Sequence, residues 1–193
     1  MAIAHRSVPR DYFERLYWRE TDPWNLRSSA YERDKYEATL AALPKPRYCQ
    51  GLEIACSIGV FTKMLAARCD RLLAVDASRE ALQRARDWCA SAGNVRFERR
   101  TIPDEYPAGT FDLTTICEVG YYLDASDLKA LVQRVVAHSA PRASVLLVHW
   151  TPPVEGHAST AQEVHDAFRY ASDLAHVNGY DAPTYRLDLF ERR

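Results

Sequence analysis

The sequence predicts an α/β fold, a sheet with helices on both of its faces. Three observations predict it. Short apolar runs of strand length alternate with segments whose apolar residues recur at helical spacing, from residue 52 to residue 175. The segment 50–67, QGLEIACSIGVFTKMLAA, joins an apolar run to a helix through a compact turn of small residues. The chain then closes with two strand-like segments, 177–180 and 185–190, around an Asp181-Ala182-Pro183 turn.

In order, residues 11–18 place Tyr12, Phe13, Leu16 and Tyr17 on one helical face, and Asp22-Pro23-Trp24 breaks that helix. Ser28 or Ser29 caps a second helix, with Glu32 in its first turn; it runs to about Leu43, stops at Pro44-Lys45-Pro46, and carries Tyr31, Lys35 and Thr39 on one side. Residues 52–55 are too short and apolar for a helix and read as a buried strand, and Phe61, Met64, Leu65 and Arg68 follow at helical spacing. A second strand, 71–75, ends at Asp76, and Ser78 caps a helix to about Ala90 with Leu82, Ala85 and Cys89 inward. Gly93-Asn94 turns into a third strand, 95–99, and a loop, 103–109, precedes a buried central strand, 111–117, ending at Glu118. A helix over 126–138 turns Leu128, Leu131, Val132 and Val135 inward; a fifth strand covers 143–150, a loop 151–159 and a last helix 161–175.

At 193 residues the chain is expected to form one domain, 1–193, with residues 1–46 as a helical cap on a core of 47–193. A net charge of -1 offers no electrostatic reason for nucleic acid or an anionic membrane surface. No run reaches the ~18 apolar residues of a membrane helix, and MAIAHRSVPR lacks a signal-peptide core. Five cysteines, an odd number without paired metal-ligand spacing, read as reduced thiols of a cytoplasmic protein, with no metal site.

Glycine spacing bears on the ligand. A dinucleotide pyrophosphate requires G-x-G-x-x-G so that the backbone can approach it. Here the three candidate positions after Glu53 hold Ala55, Ser57 and Gly59. An acidic residue before a small-x-small-x-Gly turn resembles motif I of the class I S-adenosylmethionine methyltransferases, (Asp/Glu)-x-Gly-x-Gly-x-Gly. That cofactor has no phosphate and carries a cationic amino-acid tail, which suits an acidic strand end. Asp76, about 20 residues beyond the turn, is placed to bind ribose hydroxyls.

The stretches DPWNLRSSAYERDKY (22–36), GLEIACSIGVFT (51–62), Asp76 and FDLTTICEVGYYL (111–123) together resemble the NodS family. Its members are class I methyltransferases that N-methylate an amino-sugar precursor of rhizobial nodulation factors. The resemblance implies a Rossmann-like, seven-stranded, mostly parallel sheet with an antiparallel last strand, and S-adenosyl-L-methionine as cofactor, leaving as S-adenosyl-L-homocysteine. This chain departs from the family at Ala55, where the turn usually begins with glycine, and at Thr101, where an acidic residue usually holds the adenine amino group.

Ligands of open α/β sheets sit outside the carboxyl ends of the strands. That rule gathers Glu53, Ala55, Ser57, Gly59, Asp76 and its neighbour Ala77 with Thr101, Ile102, Glu118 and His149 around one crevice. Trp24, in a loop, is a candidate to close over a sulfonium through cation–π attraction, with Tyr31 beside it and Lys35 pairing the cofactor carboxylate. Glu118 is a candidate to hold an ammonium acceptor, His149 or His165 to take its proton, and Tyr121 and Tyr122 to line the acceptor pocket. The expected activity is methyl transfer to a small-molecule acceptor, foremost an amine nitrogen. The alternatives are O-methylation of a hydroxylated metabolite, a non-catalytic S-adenosylmethionine-binding protein, and a nicotinamide-dependent reductase, which the glycine pattern disfavours. Methylation of nucleic-acid amines is disfavoured too, since Glu118-Val119-Gly120-Tyr121 stands where an Asn-Pro-Pro-Tyr type motif is expected.

Overall fold

The computed structural model describes residues 6–193; the first half of the segment read above for a signal peptide, and the start of the expected cap, lie outside the described residues. Two helices come first, α1 (Arg10–Arg19) and α2 (Ala30–Ala41). Then follow β1 (Tyr48–Ile54), α3 (Val60–Ala66), β2 (Cys69–Asp76), α4 (Arg79–Trp88), β3 (Val95–Arg99) and β4 (Phe111–Cys117). After a 3₁₀ turn, Gly120–Tyr122, come α5 (Ala125–His138), β5 (Ser139–Trp150), α6 (Ala161–Arg169), β6 (Leu174–Asp181) and β7 (Tyr185–Arg192).

The seven strands form one sheet in the order β3-β2-β1-β4-β5-β7-β6. All are parallel except β7, which runs antiparallel to both β5 and β6. The Rossmann-like sheet with an antiparallel last strand is therefore present. Its strand order reverses between β1 and β4, and the switch point opens a crevice at their carboxyl ends.

Strand alternation divides the core between the two faces. Leu52, Ile54, Phe111, Ile116, Val145 and Leu147 meet α5 and α6 on one side. Tyr48, Leu113, Leu146, Val148, Leu187 and Leu189 meet Tyr36 of α2 and Phe61 and Leu65 of α3 on the other. Helix starts are fixed by side-chain caps: Ser29 accepts from the Glu32 N–H, Ser78 from Ala81, and Thr160 and Glu163 form a reciprocal capping box.

Three boundaries differ by four residues or more from the sequence reading. β1 begins at Tyr48 rather than 52, because Cys49 and Gln50 donate their N–H groups to Asp112, which extends the ladder through polar residues. β5 likewise begins at Ser139 rather than 143. α6 stops at Arg169, with Tyr170 as its cap, while Phe168, Ala171 and Leu174 continue an apolar spacing of three through the turn into β6. That spacing imitates a helix up to residue 175.

Candidate active site

The turn after β1 carries three left-handed residues at alternate positions: Ala55 at φ 60°, Ser57 at 52° and Gly59 at 82°. These are the positions at which glycine is expected, so the backbone conformation of a glycine-rich turn is kept although two of the residues bear side chains. Each non-glycine residue held there costs roughly 1–2 kcal/mol. Gly59 answers to packing: a Cβ would stand 2.9 Å from the Ala85 Cα of α4. Ala55 and Ser57 face the crevice, whereas Gly59 lies behind it.

Asp76, at the end of β2, secures this turn. One of its oxygens accepts the Ser57 N–H and the other the Ser78 N–H, both at 2.9 Å. A carboxylate has about four acceptor positions, so capacity is left on the crevice side, where Asp76 and Ala77 both lie. Burial pushes the Asp76 carboxyl up to about 6. Beside it, burial pushes Glu53 up to about 8, and the Glu53 Oε2 atom has no hydrogen-bond partner among the described residues.

A second group of charges closes the end of β4. Glu118, at φ 55°, receives Lys35 Nζ at 2.6 Å on one oxygen and the Tyr121 hydroxyl (2.7 Å) and Trp150 N–H (2.8 Å) on the other. Lys35 is 3% exposed and also reaches Glu32 at 3.0 Å. Burial alone would lower its pKa, but the two carboxylates raise it, so it stays charged. Lys35 and Glu118 therefore satisfy each other. The lysine expected to pair a cofactor carboxylate is already paired, and both Glu118 oxygens have partners.

Between these groups lies a cavity of about 1020 Å³. Its wall includes Tyr12, Phe13, Leu16 and Tyr17, the aromatic face of α1, and Trp24, whose ring meets Tyr17 edge-on at 5.7 Å. The loop carrying Trp24 is fixed by Asp22, which accepts from the Leu26 and Arg27 N–H groups. Tyr121 and Tyr122 form the wall beyond Glu118. Six carboxyl groups face the cavity, from Glu20, Glu32, Glu53, Asp76, Glu118 and Glu155, against Lys35 as the one lysine or arginine among the described lining residues.

Six residues expected at the site lie off this wall. Gly59 is described above. Tyr31 stands behind Lys35, its ring 5.2 Å from Nζ and its hydroxyl bonded to Thr184. Thr101 donates its N–H to Glu105 in the loop after β3, and Ile102 packs into the core. His149 and His165 are fully buried within a chain of hydrogen bonds. The Gly120 N–H donates to His149 Nε2 at 3.0 Å, so that nitrogen is unprotonated. His149 Nδ1–H then donates to His165 Nε2 (3.1 Å), and His165 Nδ1–H to Asp188 (2.7 Å). With every ring nitrogen engaged, neither imidazole is free to take a proton from a ligand.

Sequence reasoning missed two contributors. The aromatic face of α1 read only as an amphipathic helix. His157 lies on the cavity wall in the loop 151–159, stacked on Tyr121 with ring centroids 4.0 Å apart. A histidine in an irregular loop carries no periodic signal. The Pro152-Pro153 and Gly156 around it were the available hint of a shaped functional loop.

Comparison with known proteins agrees with this geometry. Residues 10–168 match the family model "Nodulation protein S (NodS)". The chain is 30% identical over 148 residues to nodulation protein S of Bradyrhizobium diazoefficiens, covering 74% of this chain and 71% of that protein. The match to the Sinorhizobium fredii protein of the same name is also 30% identical, over 62% of this chain and 56% of that one. Among solved structures, N-methyltransferase NodS from Bradyrhizobium japonicum, in complex with S-adenosyl-L-homocysteine, superimposes with a TM-score of 0.85 at 25% identity, covering 95% of this chain and 97% of that one. A putative methyltransferase from Pseudomonas syringae gives 0.76 at 35% identity, over 85% and 100%. The family match spans most of the chain, and the sheet architecture accords with the superimposed structure: this chain belongs to the NodS family.

Proposed function

We propose that the protein is an S-adenosylmethionine-dependent methyltransferase acting on the nitrogen of a small amine, an amino sugar or a similar metabolite. One observation carries the choice of acceptor: the cavity presents six carboxyl groups and one lysine, and that lysine is already paired. Even with Glu53 protonated, such a wall favours cations and opposes phosphorylated or carboxylated acceptors.

The corner between β1 and β2 fits the cofactor. Asp76 has spare acceptor capacity for ribose hydroxyls, and Glu53 Oε2 is a buried acceptor awaiting a donor. The left-handed Ala55 and Ser57 leave the backbone open to close approach, and Trp24 offers a π face to a sulfonium, worth ~0.5–2 kcal/mol. When bound, S-adenosylmethionine supplies a methyl group that leaves sulfur, with the C–S electron pair staying on sulfur as the new N–C bond forms. The chain's own task is to align the acceptor and exclude water. The α1 face and Trp24 close one side of the cavity, and Tyr121 and Tyr122 the other. In this reading residues 1–193 are one methyltransferase domain in the cytoplasm, with 1–46 serving as a cap over 47–193.

The non-catalytic alternative drew on Ala55 as a departure from the family. Ala55 takes the conformation that glycine would, so that support is gone and only Thr101 remains. Transfer of labelled methyl from S-adenosylmethionine to a panel of amines, phenols and amino sugars tests the proposal. Labelled amines are the expected result. Labelling of phenols alone would move the assignment to O-methylation, and cofactor binding without any turnover would restore the binding-protein reading.

A further inference from the structure

An amine acceptor arrives as an ammonium at neutral pH, and its lone pair must be freed before nitrogen can attack carbon. The cavity wall narrows the choice of proton acceptor. Both Glu118 oxygens are bonded to Lys35, Tyr121 and Trp150. Asp76 is turned to the backbone of its own corner, and Glu53 holds its proton to about 8. His149 and His165 are closed into their chain to Asp188. His157 is different. Among the described residues its ring nitrogens have no side-chain or backbone partner, and the ring is fixed face to face on Tyr121 and edge-on to Tyr122 at 5.0 Å.

We propose that His157 is the catalytic base of methyl transfer, taking a proton from the bound ammonium beside Glu118. The inference rests on the amine reading above. In this step an N–H bond of the ammonium breaks and its proton passes to an imidazole nitrogen of His157, leaving a neutral amine whose lone pair is free. The half-buried ring then returns the proton to solvent, one per methyl transferred. Groups facing the ring set its readiness. From the end of β4 and the turn after it come Glu118, Tyr121 and Tyr122; from β5 comes His149; and Glu155 lies two residues away on its own loop. Burial lowers the His157 pKa and Glu118 opposes that by raising it, with lowering the net result, so the ring is neutral and able to accept at pH 7. Glu118 attracts the ammonium by its charge, with three of its about four acceptor positions taken by Lys35, Tyr121 and Trp150.

The test compares wild type with His157→Gln and His157→Ala, using an amine that the wild type methylates. The expected kcat/KM at pH 7 is lower by about 100-fold or more. The deficit should shrink as the pH rises toward the amine's own pKa, where the acceptor arrives already deprotonated. Affinity for S-adenosylhomocysteine by calorimetry should be unchanged in both variants, which also reports that they are folded. In the wild type, the His157 imidazole resonance should titrate below the ordinary histidine value of 6.5. A loss that is the same at every pH, or no loss, overturns the role of His157 while leaving the amine reading intact. Wild-type turnover confined to hydroxylated acceptors overturns the amine reading, and this inference with it.

Discussion

Two sets of buried ionisable groups, one around Asp188 of β7 and the other at Glu53 of β1 and Asp76 of β2, are built on opposite plans. The Asp188 carboxylate uses all of its acceptor positions, although the Nε of Arg169 beside it has no partner among the described residues. Its oxygens accept from His165, His176, Arg169 and Arg186 at 2.6–2.9 Å, and behind His165 a chain of donors runs back through His149 to the Gly120 N–H. Burial alone would raise the Asp188 carboxyl, yet these donors hold it well below the usual range. At Glu53 and Asp76 burial prevails instead, and both carboxyls are raised. A buried polar group is costly unless it is paired. The first set is thus a structural cluster, and the second is a site with hydrogen-bonding capacity reserved for a ligand.

The sharpest way to break this contrast is Asp188→Ala. It strands two arginines and two histidines about an empty position, and removing one partner of a buried ion pair costs about 3–5 kcal/mol. Urea denaturation should show that loss, with S-adenosylhomocysteine affinity of the folded fraction little changed. A loss below about 1 kcal/mol would mean that the cluster contributes nothing special.

Next comes pH, to which the two sets respond with opposite sign. Glu53 has a folded value near 8, above its ordinary 4.5, so the folded state holds the proton longer. Stability of the unliganded protein should therefore fall as the pH rises from about 4.5 through about 8, at up to about 1.4 kcal/mol per unit for this group. Glu53→Gln should flatten that slope. His149 and His165 are lowered by burial, so the unfolded chain takes protons first, and their contribution is lost as the pH falls below about 6.5. Denaturation curves across pH 5–8 for wild type and Glu53→Gln separate the two trends.

Asp76→Asn should lower S-adenosylhomocysteine affinity by about 1–3 kcal/mol, the loss expected for hydrogen bonds to a charged group, with less effect on folding. Unchanged affinity by calorimetry would remove Asp76 from the cofactor site. The smallest effect is expected from Ala55→Gly. Relief of about 1–2 kcal/mol of left-handed strain is offset by about 0.5–1 kcal/mol of glycine entropy, leaving a gain of about 0.5–1 kcal/mol in thermal unfolding.

The contrast also explains what the sequence disclosed. Alternation of strand and helix, the small-residue turn and Asp76 are local patterns, and local patterns position the corner between β1 and β2. The turn was legible although two of its three glycine positions hold other residues, because spacing marked residues 55, 57 and 59 as the places where backbone conformation matters. The roles first considered for Lys35, His149 and His165 depended on partners 16–83 residues away, which no window of sequence displays. A buried lysine and a surface lysine look identical until Glu118 is brought across from β4. His157 was hidden for the complementary reason: loop residues have no period, and its stacking partner Tyr121 lies 36 positions earlier in the chain.

The links from Gly120 through His149 and His165 to Asp188 all point the same way, each ring giving on one side and receiving on the other. Such a line has a polarity, like a row of compass needles, and no single member can reverse alone. An extra hydrogen on His149 Nε2 would confront the Gly120 amide, and one on His165 Nε2 would confront the His149 Nδ1–H, so the resonances of the two rings should shift in concert. The Gly120 peptide is thereby tied, through α6, to the antiparallel strand β7 on the same face of the sheet.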